Sequence, residues 1–237
     1  MKETVLGSHL RKVPSIAVGC MRLSEKSKDE MNHFIHSALE QGAYFFDHAD
    51  IYGSGMSETV FGDAFASDPS LHREDVLIQS KCGIRQGCYD LSKEHILESV
   101  DGILKRLQTD YIDLGMIHYV DSEEEWEQIQ HSDYMDYVME LKNKGVIRHI
   151  GMSSHNPKVA VKAAESGYVE MILFSINPAF DMLPASENID TMFADEFDTS
   201  LKGIDADRAH LYQVCEQNDV GITVMKGFAG GRLFDEK

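Results

Sequence analysis

The chain has 237 residues, enough to bury a large core in one α/β unit, and its 43% apolar and 26% charged residues exclude a disordered chain. Its 40 acidic residues against 22 Lys and Arg leave a formal charge of −18, which argues against nonspecific binding to nucleic acid or anionic membranes, both polyanions. A local pocket for a small anionic group needs only a few backbone N–H groups and a cation or two, so global charge does not bear on it.

In chain order, short β-branched and aromatic runs recur at Ile16–Gly19, Tyr44–Phe46, Val76–Ile78, Ile112–Ile117, Val146–Met152, Met171–Ile176 and Ile222–Met225. Each is followed by a segment with helical periodicity, the pattern of a parallel sheet covered by helices. Met31, Phe34, Ile35, Ala38 and Leu39 predict one apolar helical stripe, and Ile96, Leu97, Val100, Ile103, Leu104 and Leu107 predict another, capped by Ser92. Asn156-Pro157 predicts a further helix start, and Asp205 caps a helix running to about Gln217.

No linker divides these repeats, so residues 1–237 are expected to form a single (β/α)8 TIM-barrel domain. A doubly wound sheet is the competing expectation, but no run is followed by G-x-G-x-x-G, and the clusters Gly53–Gly55 and Gly230-Gly231 have the wrong spacing. Because the chain stops just after the seventh run, the expected barrel is truncated after strand 7.

The cysteines Cys20, Cys82, Cys88 and Cys215 form no Cys-x-x-Cys pair and no zinc-spaced cluster, so reduced thiols are expected. The opening MKETVLGSHLRKVPSIAVG lacks a signal peptide's apolar stretch, and nothing later approaches a membrane span; the expectation is a cytoplasmic protein.

In a barrel, function gathers at the C-terminal ends of the strands. Here the runs end in Asp47, Lys81, His118, Ser153, Asn177 and Lys226, one polar or ionisable side chain each. Singly, each has a bland reading as a cap, a packing residue or a solvated charge. Together, a carboxylate, an ammonium and an imidazole at three neighbouring strand ends form a buried polar cluster that destabilises the fold unless it is paired and used. Tyr52 lies in the loop after Asp47, before Gly53, which allows a tight turn. A cation at Lys81 would stabilise its phenolate and lower its pKa.

The segment Asp47-His48-Ala49-Asp50-Ile51-Tyr52-Gly53, read as D-x-A-x-x-Y-G, resembles the hallmark of the aldo-keto reductase family. SKCG, IDLGMIH and GMSS follow in family order and place Lys81, His118 and the pair Ser153-Ser154 on matching positions; the likeness runs on to GFAGGRLF. The resemblance implies a barrel that binds NADPH or NADH and reduces a small aldehyde or ketone without a metal. Asp47, Tyr52, Lys81 and His118 would be its catalytic set, and Ser153, Ser154 and Asn177 would hold the nicotinamide carboxamide. Met225 and Lys226 complete the cofactor side. Ser154, Asn177 and Met225 depart from the family's usual Asn, Gln and stacking aromatic. SSHNP and VMKGFAGG resemble a branch whose longer members carry a C-terminal iron–sulfur segment.

In the mechanism so implied, Tyr52 is the general acid, Lys81 tunes it, Asp47 pairs with Lys81, and His118 orients the carbonyl. Tyr119 and Trp126 either line a substrate pocket or pack in the core, and the acidic stretch from Pro178 to Gly203 is a substrate-side loop. Two other classes stay open. One is a nicotinamide-binding sensor or inactive fragment without turnover. The other is a metal-dependent hydrolase using Asp47, His48, Asp50 and His118.

Overall fold

A computed structural model describes residues 1–8, 12–84, 90, 92–194, 198, 200–229 and 234, with 85, 88 and 89 described through their backbone alone. Gly230-Gly231 and the rest of the motif through 233 lie outside the described residues.

All seven predicted runs are strands: β1 (Val18–Gly19), β2 (Phe45–Asp47), β3 (Leu77–Cys82), β4 (Ile112–Ile117), β5 (Ile147–Ser154), β6 (Met171–Ser175) and β7 (Gly221–Met225). The helices between them are α1 (Lys28–Glu40), α2 (Met56–Ser67), α3 (Lys93–Leu107), α4 (Glu123–Gln130), α5 (Asp133–Asn143), α6 (Pro157–Glu165) and α7 (Ala206–Gln217). The chain forms two compact units, Met1–Val5 with Leu10–His118 and Ile129–Ile150, and Leu6–His9 with Tyr119–Gln128 and Gly151–Lys237. Strand β5 begins in the first and ends in the second.

In the first unit β1, β2, β3 and β4 pair in parallel in chain order. In the second unit the end of β5 pairs with β6 and β6 with β7, again parallel and in chain order. A doubly wound sheet reverses its strand order at a switch point; an uninterrupted chain-order sequence of parallel strands with helical crossovers is the repeat of a (β/α)8 barrel. Strand β3 is buried at every position, as expected of a parallel strand covered on both faces. Two hairpins were not expected, Glu3–Thr4 with Val13–Pro14 and Ile84–Arg85 with Cys88–Tyr89. Strands of two residues are too short to leave a periodic signal.

The predicted caps form as side-chain hydrogen bonds: Ser92 accepts from His95 N–H, Asn156 from Lys158 N–H with Pro157 in the first turn, and Asp205 from Asp207 N–H. Ser27 and Glu30 add an unexpected capping box to α1. Ile96, Val100, Ile103 and Leu107 form the buried stripe of α3, whereas Leu97 is exposed because one residue turns the helix by about 100°. Among the described residues no helix is long and apolar enough to cross a membrane.

Helix α2 lies close against α3 at Gly62, where an added Cβ would stand 2.1 Å from the Arg106 carbonyl oxygen and 2.9 Å from Leu107 backbone atoms. At Gly102 of α3 the nearest atom to an added Cβ is the Arg106 guanidinium, at 2.7 Å, which can swing away. Gly62→Ala should therefore lower the urea midpoint, by about 1–3 kcal/mol net of the helix propensity it gains, because backbone cannot yield cheaply. Gly102→Ala should be close to neutral. Equal effects of the two would contradict the close approach of α2 and α3.

Candidate active site

The first unit builds its polar cluster at the C-terminal ends of β2, β3 and β4. Asp47 is the last residue of β2, Lys81 the penultimate residue of β3, and His118 directly follows β4. Lys81 is 1% exposed, and its ammonium donates to Asp47 Oδ1 at 2.6 Å, to the His48 carbonyl at 2.7 Å and to Tyr52 Oη at 3.0 Å. An ammonium has three donors, and here each finds an acceptor, so the buried charge is fully satisfied. Burial works against the Lys81 cation, but Asp47 and Tyr52 outweigh it and hold its pKa above the ordinary lysine value.

Tyr52 reaches Lys81 because the loop after β2 closes in a turn over Tyr52–Gly55. Gly53 has φ of 57°, and a Cβ there would come within 2.4 Å of the Ser24 side chain, so the turn requires glycine on both counts. Burial raises the Tyr52 phenol above its ordinary value, and the downward pull of Lys81 does not offset it. The expected lowering by Lys81 is thus one contribution within a net rise, and Tyr52 is a protonated phenol at neutral pH. His118 is half-buried, and its N–H donates to the Cys82 carbonyl at 2.9 Å, next to Lys81.

Gln79 was not foreseen. It alternates with Lys81 along β3, stands opposite Asp47 in register, and donates its amide to Asp47 Oδ1. On the other face of β3, Ser80 donates to Glu58 Oε1 at 2.6 Å, and Glu58 Oε2 accepts from Arg106 at 2.8 Å. His48 is fully buried and packs edge-on against Phe61, with ring centroids 4.7 Å apart. Burial and the nearby Lys81 charge push its pKa down to about 3, so it is a neutral packing residue. Among the described residues no group of three or more His, Cys, Asp or Glu side chains is arranged to hold a metal ion.

The second unit holds the remaining candidates. Ser153 is buried, and its Oγ accepts from Tyr119 N–H at 2.8 Å, which leaves its hydroxyl hydrogen able to donate. Ser154 accepts from Asn156 N–H and directs its proton at Asp121 Oδ1 (3.0 Å) or the Asn156 carbonyl (3.2 Å). Asn177 Oδ1 accepts from Ala179 and Phe180 N–H at 2.9 Å each, and its amide donates to the Lys226 carbonyl at 3.0 Å. Ser154 and Asn177 therefore spend most of their hydrogen-bonding capacity on the fold. Met225 ends β7 and Lys226 follows it with φ of 57°. Trp126 is fully buried and belongs to the core, while Tyr119 is half-buried with its ring edge against His155. Among the described residues of the stretch from Pro178 to Gly203 are two short 3-10 turns, Phe180–Met182 and Ile189–Phe193.

Residues 15–237 match the model of the Aldo/keto reductase family. The chain belongs to the aldo/keto reductase family. The uncharacterized oxidoreductase YqkF of Bacillus subtilis (strain 168) is 32% identical over 190 residues, covering 78% of this chain and 58% of the relative. Oxidoreductase YdhF of Escherichia coli (strain K12) is 34% identical over 139 residues, 55% of this chain and 45% of the relative. The chain thus spans about half the length of the curated relatives it matches. The solved aldo-keto reductase AKR11C1 from Bacillus halodurans, in its holo form, superposes with a TM-score of 0.73 at 26% identity, covering 98% of this chain and 68% of that one.

In this family member one acid near the cluster is left poorly satisfied. Asp50 Oδ1 is buried without a hydrogen-bond partner among the described residues, and burial, helped by the Glu58 charge, raises its carboxyl to about 6. The folded state therefore binds this proton more tightly than the unfolded chain, so the destabilisation is fully present above about pH 6, fades as the pH falls and is gone below about pH 4. Asp50→Asn should raise the urea midpoint at pH 8, by roughly 1–2 kcal/mol after allowing for partial exposure, with the gain vanishing by about pH 4. A gain independent of pH would contradict the raised carboxyl.

Proposed function

We propose that the chain reduces an aldehyde or ketone to an alcohol with NADPH or NADH, with Tyr52 as general acid. The observation that carries this reading is the Lys81 ammonium bridging Asp47, the His48 carbonyl and Tyr52 Oη at adjoining strand ends.

The donor set fits a nicotinamide carboxamide, which needs both a donor and acceptors. Ser153 offers a buried hydroxyl with its proton still available, and Asn177 retains one amide N–H. Met225 supplies an apolar surface at the end of β7, with Lys226 directly after it. When bound, the reduced cofactor supplies hydride to the carbonyl carbon.

Charge then develops on the carbonyl oxygen, and Tyr52 neutralises it by giving up its phenolic proton. Because Tyr52 Oη accepts from Lys81, its own hydrogen is turned away from the ammonium and towards a substrate oxygen. Lys81 stabilises the phenolate left behind, and Asp47 keeps Lys81 charged throughout. His118 donates to the same carbonyl and fixes its direction. The family match supports the cofactor class.

Aldehyde-dependent oxidation of NADPH, followed by absorbance, tests the activity; binding of nicotinamide without any turnover would mean a sensor in place of an enzyme. Tyr52→Phe should reduce turnover about 10²–10⁴-fold while leaving nicotinamide binding, read by fluorescence titration, unchanged. An unaltered rate would remove Tyr52 from the mechanism. Activity should fall as pH rises through the Tyr52 pKa. Lys81→Met removes the one downward pull on that pKa, so it should move the alkaline limb to higher pH; an unmoved limb would mean that Lys81 does not tune Tyr52.

A further inference from the structure

The second unit contains an ionisable chain that the hydride reading does not use. Asp121 and His155 are 5% and 6% exposed, and Asp121 Oδ2 lies 2.9 Å from His155 Nδ1. Asp121 Oδ1 meanwhile accepts from His155 N–H at 2.6 Å and Ser154 O–H at 3.0 Å, so this carboxylate is an acceptor on both oxygens. That places the imidazole proton on Nδ1 and leaves Nε2 as an acceptor, facing Lys226 Nζ at 2.5 Å.

Lys226 is held as firmly as its partners. Its φ of 57° is uncommon for a residue with a side chain, and its carbonyl accepts from Asn177 Nδ2 at 3.0 Å and Ala229 N–H at 2.8 Å, which fix the main chain there. The Phe193 ring lies 6.0 Å from Nζ, and the Tyr119 ring backs His155. A nucleophile within hydrogen-bond reach of a base, itself oriented by a third group, is the arrangement that activates side-chain nucleophiles.

We propose that Lys226 is an activated amine that condenses reversibly with small aldehydes, with His155 as its proton acceptor and Asp121 as the group that orients His155. The neutral Nζ lone pair forms a bond to the carbonyl carbon, and the carbonyl π electrons move to oxygen. Nitrogen loses two protons to that oxygen in turn, each through His155 Nε2: the first gives the carbinolamine, and the second leaves with its hydroxyl as water while the C=N bond forms. Amine plus aldehyde gives imine plus one water, and nothing is oxidised or reduced.

Two electrostatic effects favour the neutral amine. Burial lowers the Lys226 pKa to about 8, with Asp121 opposing, and burial also keeps His155 neutral, with Lys226 and Arg208 reinforcing it against Asp121. Asp121, His155 and Arg208 are the charged or titratable groups acting on this pair, with Tyr119 against the His155 ring. Lys81, by contrast, is held as an ammonium by Asp47.

The test uses the full chain without cofactor, so its outcome is separate from that of the hydride reading. Propionaldehyde with cyanoborohydride traps imines as stable amines, and peptide mass spectrometry maps them. Lys226 should be labelled at pH 7.5 at least about ten-fold faster than exposed Lys144 and Lys158, with half-maximal rate near pH 8 and no label on Lys81. His155→Gln, checked for native folding by circular dichroism, should lower the plateau rate at which Lys226 is labelled; Asp121→Asn should lower it more weakly while moving the midpoint to lower pH, because it removes the charge that pulls the Lys226 pKa up. Labelling of Lys226 no faster than that of the exposed lysines, or a midpoint near that of an ordinary lysine, would overturn the proposal.

Discussion

A lysine ammonium almost wholly removed from water must be given three acceptors, and the first unit is organised around supplying them to Lys81. An unpaired buried charge would destabilise the fold by several kcal/mol. Strand β2 ends where Asp47 can face β3, the chain after it exposes the His48 carbonyl, and the Gly53 turn brings Tyr52 back over the same nitrogen. Gln79 holds Asp47 from the side. Each constraint serves stability first, and a protonated phenol touching a fixed cation is its by-product.

The same residue type is treated oppositely in the second unit. Lys81 meets a carboxylate directly and stays charged; Lys226 meets a neutral imidazole, with the carboxylate of Asp121 one side chain further away. Lysine has no fixed chemistry in a buried setting, and the nearest acceptor decides between a structural cation and an amine.

The seven strands were legible because a parallel strand buried on both faces reads as an unbroken apolar run, and the caps Ser92, Asn156 and Asp205 because capping is local. Asp47, Tyr52, Lys81 and His118 were legible as strand-end or loop residues. Gln79 was within reach, since alternation in Leu77, Gln79 and Lys81 puts it on the face of Lys81, but attention to run ends passes over it. Ser154 and Asn177 could not be weighed from sequence, because their partners in the turns that follow decide how much hydrogen-bonding capacity remains. The net pKa of Tyr52 was equally hidden: adjacency to Lys81 predicts a fall, and only burial shows that the larger effect is a rise.

The central claim is that Tyr52, in contact with Lys81, is held by burial as a phenol ready to donate, and ultraviolet difference titration of the wild-type chain against Tyr52→Phe measures it without cofactor or substrate. The phenolate signal assigned to Tyr52 should be absent through the neutral range and appear only above pH 10. A Tyr52 phenolate already formed near pH 7 to 8 would contradict the account, since Tyr52 would then have no proton to give.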